Sequence, residues 1–240
     1  MRKVMLISLF VWLLCLTSCR ENLIEYRAGD MKISIEQGDA WLHDFPLFLG
    51  IKVENPPQIA VWVEDMEGNY LSTIYVTHKI ATQSWLAARG NRRKEALPHW
   101  CHKRGVKYSD GLYLPTKKEP IVDGISSATP KSGFDIKFMP LRELKRFVVK
   151  VEINHSTDFN LNWPKSAREG EVNYSGGKEG SGQPAVVYAV NIDLTSEQRT
   201  FVAELIGHSS PDGSNGCIYP DTSTLTSALK IVKRITVEVQ

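Results

Sequence analysis

The sequence predicts an all-β fold: an antiparallel β-sandwich, immunoglobulin-like in the broad sense, with a long excursion and one or two short helices. Three observations predict it. β-rich runs recur through most of the chain, several with apolar residues at alternate positions. Clusters of Gly, Asn, Asp and Ser separate them, as turns require. No Gly-rich strand-to-helix turn occurs, which argues against a parallel α/β sheet.

The elements follow in order. Residues 31–36 alternate with period two. Residues 58–64 are a compact apolar strand, 65–69 a turn around Gly68-Asn69, and 70–77 the return strand of a hairpin. From 78 to 130 the pattern is lost. Ser84 to Arg89 can form a short helical turn, and the rest reads as one irregular excursion. A loop of that length is functional or disordered, and Trp85, Trp100, Tyr108 and Tyr113 argue against disorder. Strands resume at 133–138 and 147–154. A polar loop fills 155–183, and strands follow at 185–194 and 200–206. A turn-rich loop spans 209–219, a short helix falls within 222–231, and a last strand runs over 233–239. No internal repeat is visible.

The start of the chain reads as a signal. Met1-Arg2-Lys3 is basic, Val4 to Leu16 is an almost unbroken apolar run, and Leu16-Thr17-Ser18-Cys19 puts small residues before a cysteine. That apolar run is too short to span a bilayer. The arrangement resembles a bacterial lipobox. The resemblance implies a signal peptide over 1–18 and lipidation of Cys19; the polar run that follows reads as a tether over 19–30, and the strand pattern as one β-sandwich domain over 31–240. It also implies an exported protein tied to the cell envelope through a lipid anchor. Arg20 is not aspartate, which favours the outer membrane by the enterobacterial sorting rule. Loss of Arg2 and Lys3 with the leader takes the formal charge from +2 to zero, so charge gives no case for nucleic acid. Beyond Cys19 two cysteines remain, Cys101 and Cys217, and they can pair or stay free.

The stretch Val122-Asp123-Gly124-Ile125-Ser126-Ser127-Ala128-Thr129-Pro130 carries the functional reading. It joins the runs IAVWVEDMEGNYLSTIYVT, EALPHW and GQPAVVYAVNIDL in a chain that resembles a family of uncharacterised exported bacterial proteins. Asp123-Gly124-Ile125-Ser126-Ser127-Ala128-Thr129 is itself similar to the acceptor motif of covalently flavinylated bacterial proteins. That motif reads Asp, two variable residues, Ser or Thr, Gly or Ser, Ala, Thr. All five constrained positions match, which average residue frequencies produce by chance in roughly one chain of this length in a thousand. Ser127 stands where Gly is commoner. The resemblance implies FMN linked through its phosphate to the Thr129 hydroxyl by a flavin transferase, with Asp123 and Ser126 as the other motif side chains. It implies an electron-transfer protein with redox partners, and a carrier rather than a catalyst. Small neighbours let a transferase close on the backbone, and Pro130 keeps Thr129 out of helical geometry. Trp85 or Trp100 would stack on the flavin, and Arg92, Arg93 or Lys94 would neutralise its phosphate. The structural alternative makes the tryptophans caps on the open end of the sandwich and the basic run a solvated loop. The functional alternative is a cofactor-free binding or structural lipoprotein.

Two further constellations carry less. His99-Trp100-Cys101-His102 supplies ligand types for zinc or copper, but neighbouring ligands are geometrically awkward and no second half follows. Ser209 to Gly216 alternates oxygen side chains but lacks the glutamate of a calcium loop, so it reads as a turn. No Gly-x-Ser-x-Gly elbow points to a hydrolase.

Overall fold

The computed structural model describes residues 22–26, 29–46, 52–85, 92–139 and 143–240. The leader and Cys19 lie outside them. The first strands are β1 (Leu23–Tyr26), β2 (Met31–Gln37), β3 (His43–Pro46) and β4 (Lys52–Asn55). The hairpin β5 (Gln58–Glu64) and β6 (Tyr70–Thr77) leads into the short helices α1 (His78–Thr82) and α2 (Pro98–Lys103). Then come β7 (Ile125–Ser127), β8 (Phe134–Phe138), β9 (Arg146–Asn154) and β10 (Val186–Asp193). β11 (Thr200–Val202), β12 (Glu204–Ser209), β13 (Ile218–Tyr219) and β14 (Val232–Val239) complete the chain.

The fold is an all-β sandwich. One sheet has the order β1-β8-β2-β14-β11, the other β13-β12-β10-β9-β5-β6-β7, and β3 pairs with β4 in a separate ribbon. Period-two alternation decides the inner faces. Ile33, Ile35, Ile136, Phe138, Ile235 and Val237 of the first sheet meet Ile59, Val61, Val149, Val151, Ile153 and Ile192 of the second in one core. The pairing is not wholly antiparallel: β1 runs parallel to β8, and β7 parallel to β6.

Several expectations are corrected. The tether reading of 19–30 does not hold for Leu23–Tyr26, whose Ile24 and Tyr26 pack on the core from an edge strand. The single strand expected over 200–206 is two. β11 pairs with β14 in the first sheet and β12 with β10 in the second, and the chain changes sheets at Ala203. The helical turn expected at Ser84 comes earlier, as α1. Gln83 ends α1 at φ 52° and donates its side-chain amide to Ile80 O at 3.0 Å, pairing a carbonyl the helix end leaves free. Residues 86–89 lie outside the described residues. The helix within 222–231 is a 3-10 turn, Ser227–Lys230.

The excursion does not cap an open end. It lies on the outer face of the second sheet, where Ile80, Ala81, Leu97, Trp100, Cys101 and Leu114 pack on Ala60, Trp62, Val76 and Val187. β5 is therefore buried along its whole length on both faces, which is why it reads as a continuous apolar run. No helix among the described residues is long and apolar enough to cross a membrane.

Candidate functional site

The motif follows the second sheet's edge and then leaves it. Asp123 lies just ahead of β7. Its carboxylate accepts from Thr73 N at 2.6 Å and from the Tyr70 hydroxyl. Gly124 sits at φ +85°, and a Cβ there would lie 2.8 Å from Thr73 Cγ2. Glycine is thus required by both conformation and space. Ile125, Ser126 and Ser127 pair in parallel with Tyr75, Val76 and Thr77. The Ser126 side chain is exposed. Residues 128–133 then cross from the second sheet to β8 in the first, with Trp41 Nε1 donating to Pro130 O at 3.1 Å.

Thr129 stands at the start of that crossover. It is only 6% exposed. Its hydroxyl shares a 2.8 Å hydrogen bond with Thr77 Oγ1, which also accepts from Ile59 N at 2.9 Å. The Tyr75 phenol lies beside both threonine hydroxyls, and burial pushes its pKa up although they favour the ionised form.

The chain that continues from Thr77 carries a basic and aromatic group. α1 starts at the residue after Thr77 and packs next to β7. Lys79 on α1 is half-buried and has no ion-pair or hydrogen-bond partner among the described residues. Burial, and after it the neighbouring Arg93 charge, lowers its pKa. Gln83 Oε1 accepts from Trp85 Nε1 and from Arg93 N, both at 3.0 Å. The Arg93 guanidinium then lies 4.6 Å from the Trp85 ring centroid. Arg93 is not a free cation, because Nε pairs with Glu95 Oε1 at 2.9 Å and the rest of its fork reaches Ser156 and Ser181.

The other expected helpers are elsewhere. Trp100 is fully buried, donates to Thr73 Oγ1 at 3.0 Å and lies under Arg104, so it cannot stack on an added ring. Arg92 is held by Asp110 and the Leu114 carbonyl. Lys94 is half-buried, and its carbonyl lies where a Cβ on Gly213 would fall. Of the expected aromatic helpers, Trp85 keeps a partly exposed ring, and it lies against Arg93. The sequence offers no sign of Lys79, whose helix packs next to β7 only once β6 and β7 pair.

The His99–His102 run sits over a buried ionic cluster. Glu152 accepts from His99 N at 3.1 Å and Trp100 N at 2.7 Å, and so caps the start of α2 from a strand. Burial raises the Glu152 pKa to about 7. Glu64 pairs with Lys150 at 3.0 Å and accepts from Trp62 Nε1 at 2.8 Å. His99 Nδ1 lies 2.7 Å from Gly216 O and His102 Nε2 3.4 Å from Gly213 O, so both imidazoles hold the 213–216 loop. Burial lowers the His99 pKa to about 4. Among the described residues no group of three His, Cys, Asp or Glu side chains is placed to hold a metal ion. Cys101 is buried, Cys217 exposed, and both are free thiols. In the 209–216 loop Asp212 Oδ1 accepts from Ser210 Oγ at 2.7 Å and Ser214 N at 3.0 Å, the bonding of a turn.

Compared with known protein families, with curated proteins and with solved structures, the chain shows no match. A functional reading therefore stands on its own residues.

Proposed function

We propose that the protein is an exported, lipid-anchored electron carrier whose redox group is FMN, joined through its phosphate to the Thr129 hydroxyl. One observation carries the reading beyond the motif. Lys79 is a half-buried cation, unpaired among the described residues, on the helix that begins beside Thr77, and Thr77 is the residue bonded to Thr129. A phosphoester on threonine keeps a negative charge, and an ammonium on the helix adjoining β7 would neutralise that charge if Thr129 turned toward it. The residue types fit the group: an acceptor hydroxyl, a lysine unpaired among the described residues and the ring of Trp85. The closed packing does not admit an isoalloxazine between Thr129 and Thr77. Attachment would therefore require Thr129 to turn out of the knot and would leave the flavin on the surface. β7 is an edge strand of three residues, and an edge is less costly to move than the middle of a sheet.

The rival reading, a cofactor-free binding or structural lipoprotein, draws on a different observation. The Thr129 hydroxyl is buried and already bonded, and Asp123 and Gly124 have structural work to do. The test is co-expression with a bacterial flavin transferase, denaturation and in-gel flavin fluorescence. The expected result is a fluorescent band that Thr129→Ala abolishes. A dark band, with a transferase that labels a known acceptor in parallel, rejects the flavin and leaves the rival.

A further inference from the structure

The described chain enters at one end of the first sheet. Asn22 accepts through its carbonyl from Asp135 N at 2.9 Å, and its side-chain amide donates to Ser132 Oγ at 2.7 Å. The starts of β1, β8 and β14 and the finish of β2 share that end. Gly133 N donates there to Gln37 Oε1 at 3.2 Å. The crossover that carries Thr129 thus runs along the same end at which the chain comes in. Cys19 precedes Asn22 by three residues, a reach of about 10 Å at most.

The surface of this end mixes both charges, with two lysines left unpaired among the described residues. Lys131, Lys230 and Lys233 are exposed on it, with Glu36 and Asp39. Lys233 faces Glu36 at 3.9 Å. Lys131 and Lys230 have no ion-pair partner among the described residues. The 38–40 turn is bonded to this rim, Ala40 N donating to Lys230 O at 3.0 Å. Unpaired lysines around an anchoring point are what an anionic lipid surface attracts.

We propose that this end of the sandwich lies against the bilayer, with Lys131, Lys230 and Lys233 on anionic headgroups and the Thr129 crossover at the lipid–water boundary. The proposal rests on the Cys19 anchor of the reading above and is independent of the flavin. A three-residue link leaves the domain little choice of which end it presents. If the flavin is present as well, its electron partner is reached at the membrane surface rather than in solution.

Fluorescence quenching tests it. The full chain is produced in a bacterium with Cys217→Ser, so that the exposed thiol is gone. Lys131→Cys or Glu197→Cys is added and labelled with a fluorophore. Glu197 belongs to the far end, where Arg199 O accepts from Val239 N at 2.9 Å. Each protein is placed in phosphatidylethanolamine–phosphatidylglycerol vesicles doped with a headgroup quencher. Intact mass reports whether Cys19 carries lipid. The expected result is quenching several times stronger at 131 than at 197. Equal quenching on a protein with lipidated Cys19 overturns the orientation and leaves the anchor standing. An unmodified Cys19 overturns the anchor and the orientation with it, and leaves the flavin test untouched.

Discussion

Asp123 holds the start of β7 in place with one carboxylate. It takes the Thr73 N–H and the Tyr70 hydroxyl, and Tyr70 in turn is 2.6 Å from Thr73 Oγ1. Burial, and then Asp123, raises the Tyr70 pKa, so the phenol stays a donor throughout the physiological range. A residue that a transferase needs for recognition would be free to change in a protein that never meets the enzyme. Asp123 is not of that kind. Asp123→Ala leaves Thr73 N and the Tyr70 hydroxyl without their acceptor, and we expect a loss of about 1–3 kcal/mol. Urea denaturation of protein made without a transferase measures it. An unchanged midpoint would mean that Asp123 serves recognition alone.

At the scale of elements, the excursion is a third layer rather than a loop. α2 is six residues long and would not persist by itself. Pro98 at its first position has no N–H to satisfy, and Glu152 on β9 takes the next two. Its buried face, Trp100 and Cys101, fills the surface around Trp62 and Val76. Trp100→Ala should therefore cost about 3–5 kcal/mol, as for a core tryptophan. A denaturation shift below about 1 kcal/mol would show the layer to be dispensable to the sandwich. The strands were legible in sequence where a local pattern and a local turn agreed. β5 and β6 have the bounds that their apolar run, Asp65 turn and β-branched return strand indicate. The excursion was not legible as a layer, because its fit to the sheet has no period. The switch at Ala203 was hidden for the converse reason: the β-rich run continues across it, and only the partners, β14 and then β10, change. Of the site, Thr129, Asp123 and Trp85 could be read in the chain. Thr77 and Lys79 could not, because their link to Thr129 is made by strand pairing.

For the molecule as a whole, buried His99, His155 and Glu152 make stability vary with acidity, and buried Asp158, its pKa also raised by burial, acts in the same sense as Glu152. Burial lowers His99 and His155 to about 4, His155 with its Nε2 2.9 Å from Ala40 O. A histidine whose folded pKa is depressed contributes stability that is complete above its ordinary value near 6.5 and is lost as pH falls toward 4. Glu152 acts in the opposite sense. Its folded pKa is raised to about 7, so its contribution is complete below the ordinary carboxylate value of 4.5 and is lost as pH rises through 7. Between about 4.5 and 6.5 the unfolded chain gains two protons on the histidines while the folded chain keeps one on Glu152. On these three groups the difference of one proton makes stability rise with pH by up to about 1.4 kcal/mol per unit, and any proton that Asp158 retains lowers that slope. Glu152→Gln removes one opposing group and leaves both histidines. It should lower stability at the acid end of that range, because one α2 N–H loses its acceptor, and it should also steepen the rise with pH. Urea midpoints from pH 4.5 to 6.5 for the two proteins measure both effects. An unchanged slope would mean that Glu152 is ionised throughout, held so by Lys150 and the α2 N–H groups rather than neutralised by burial.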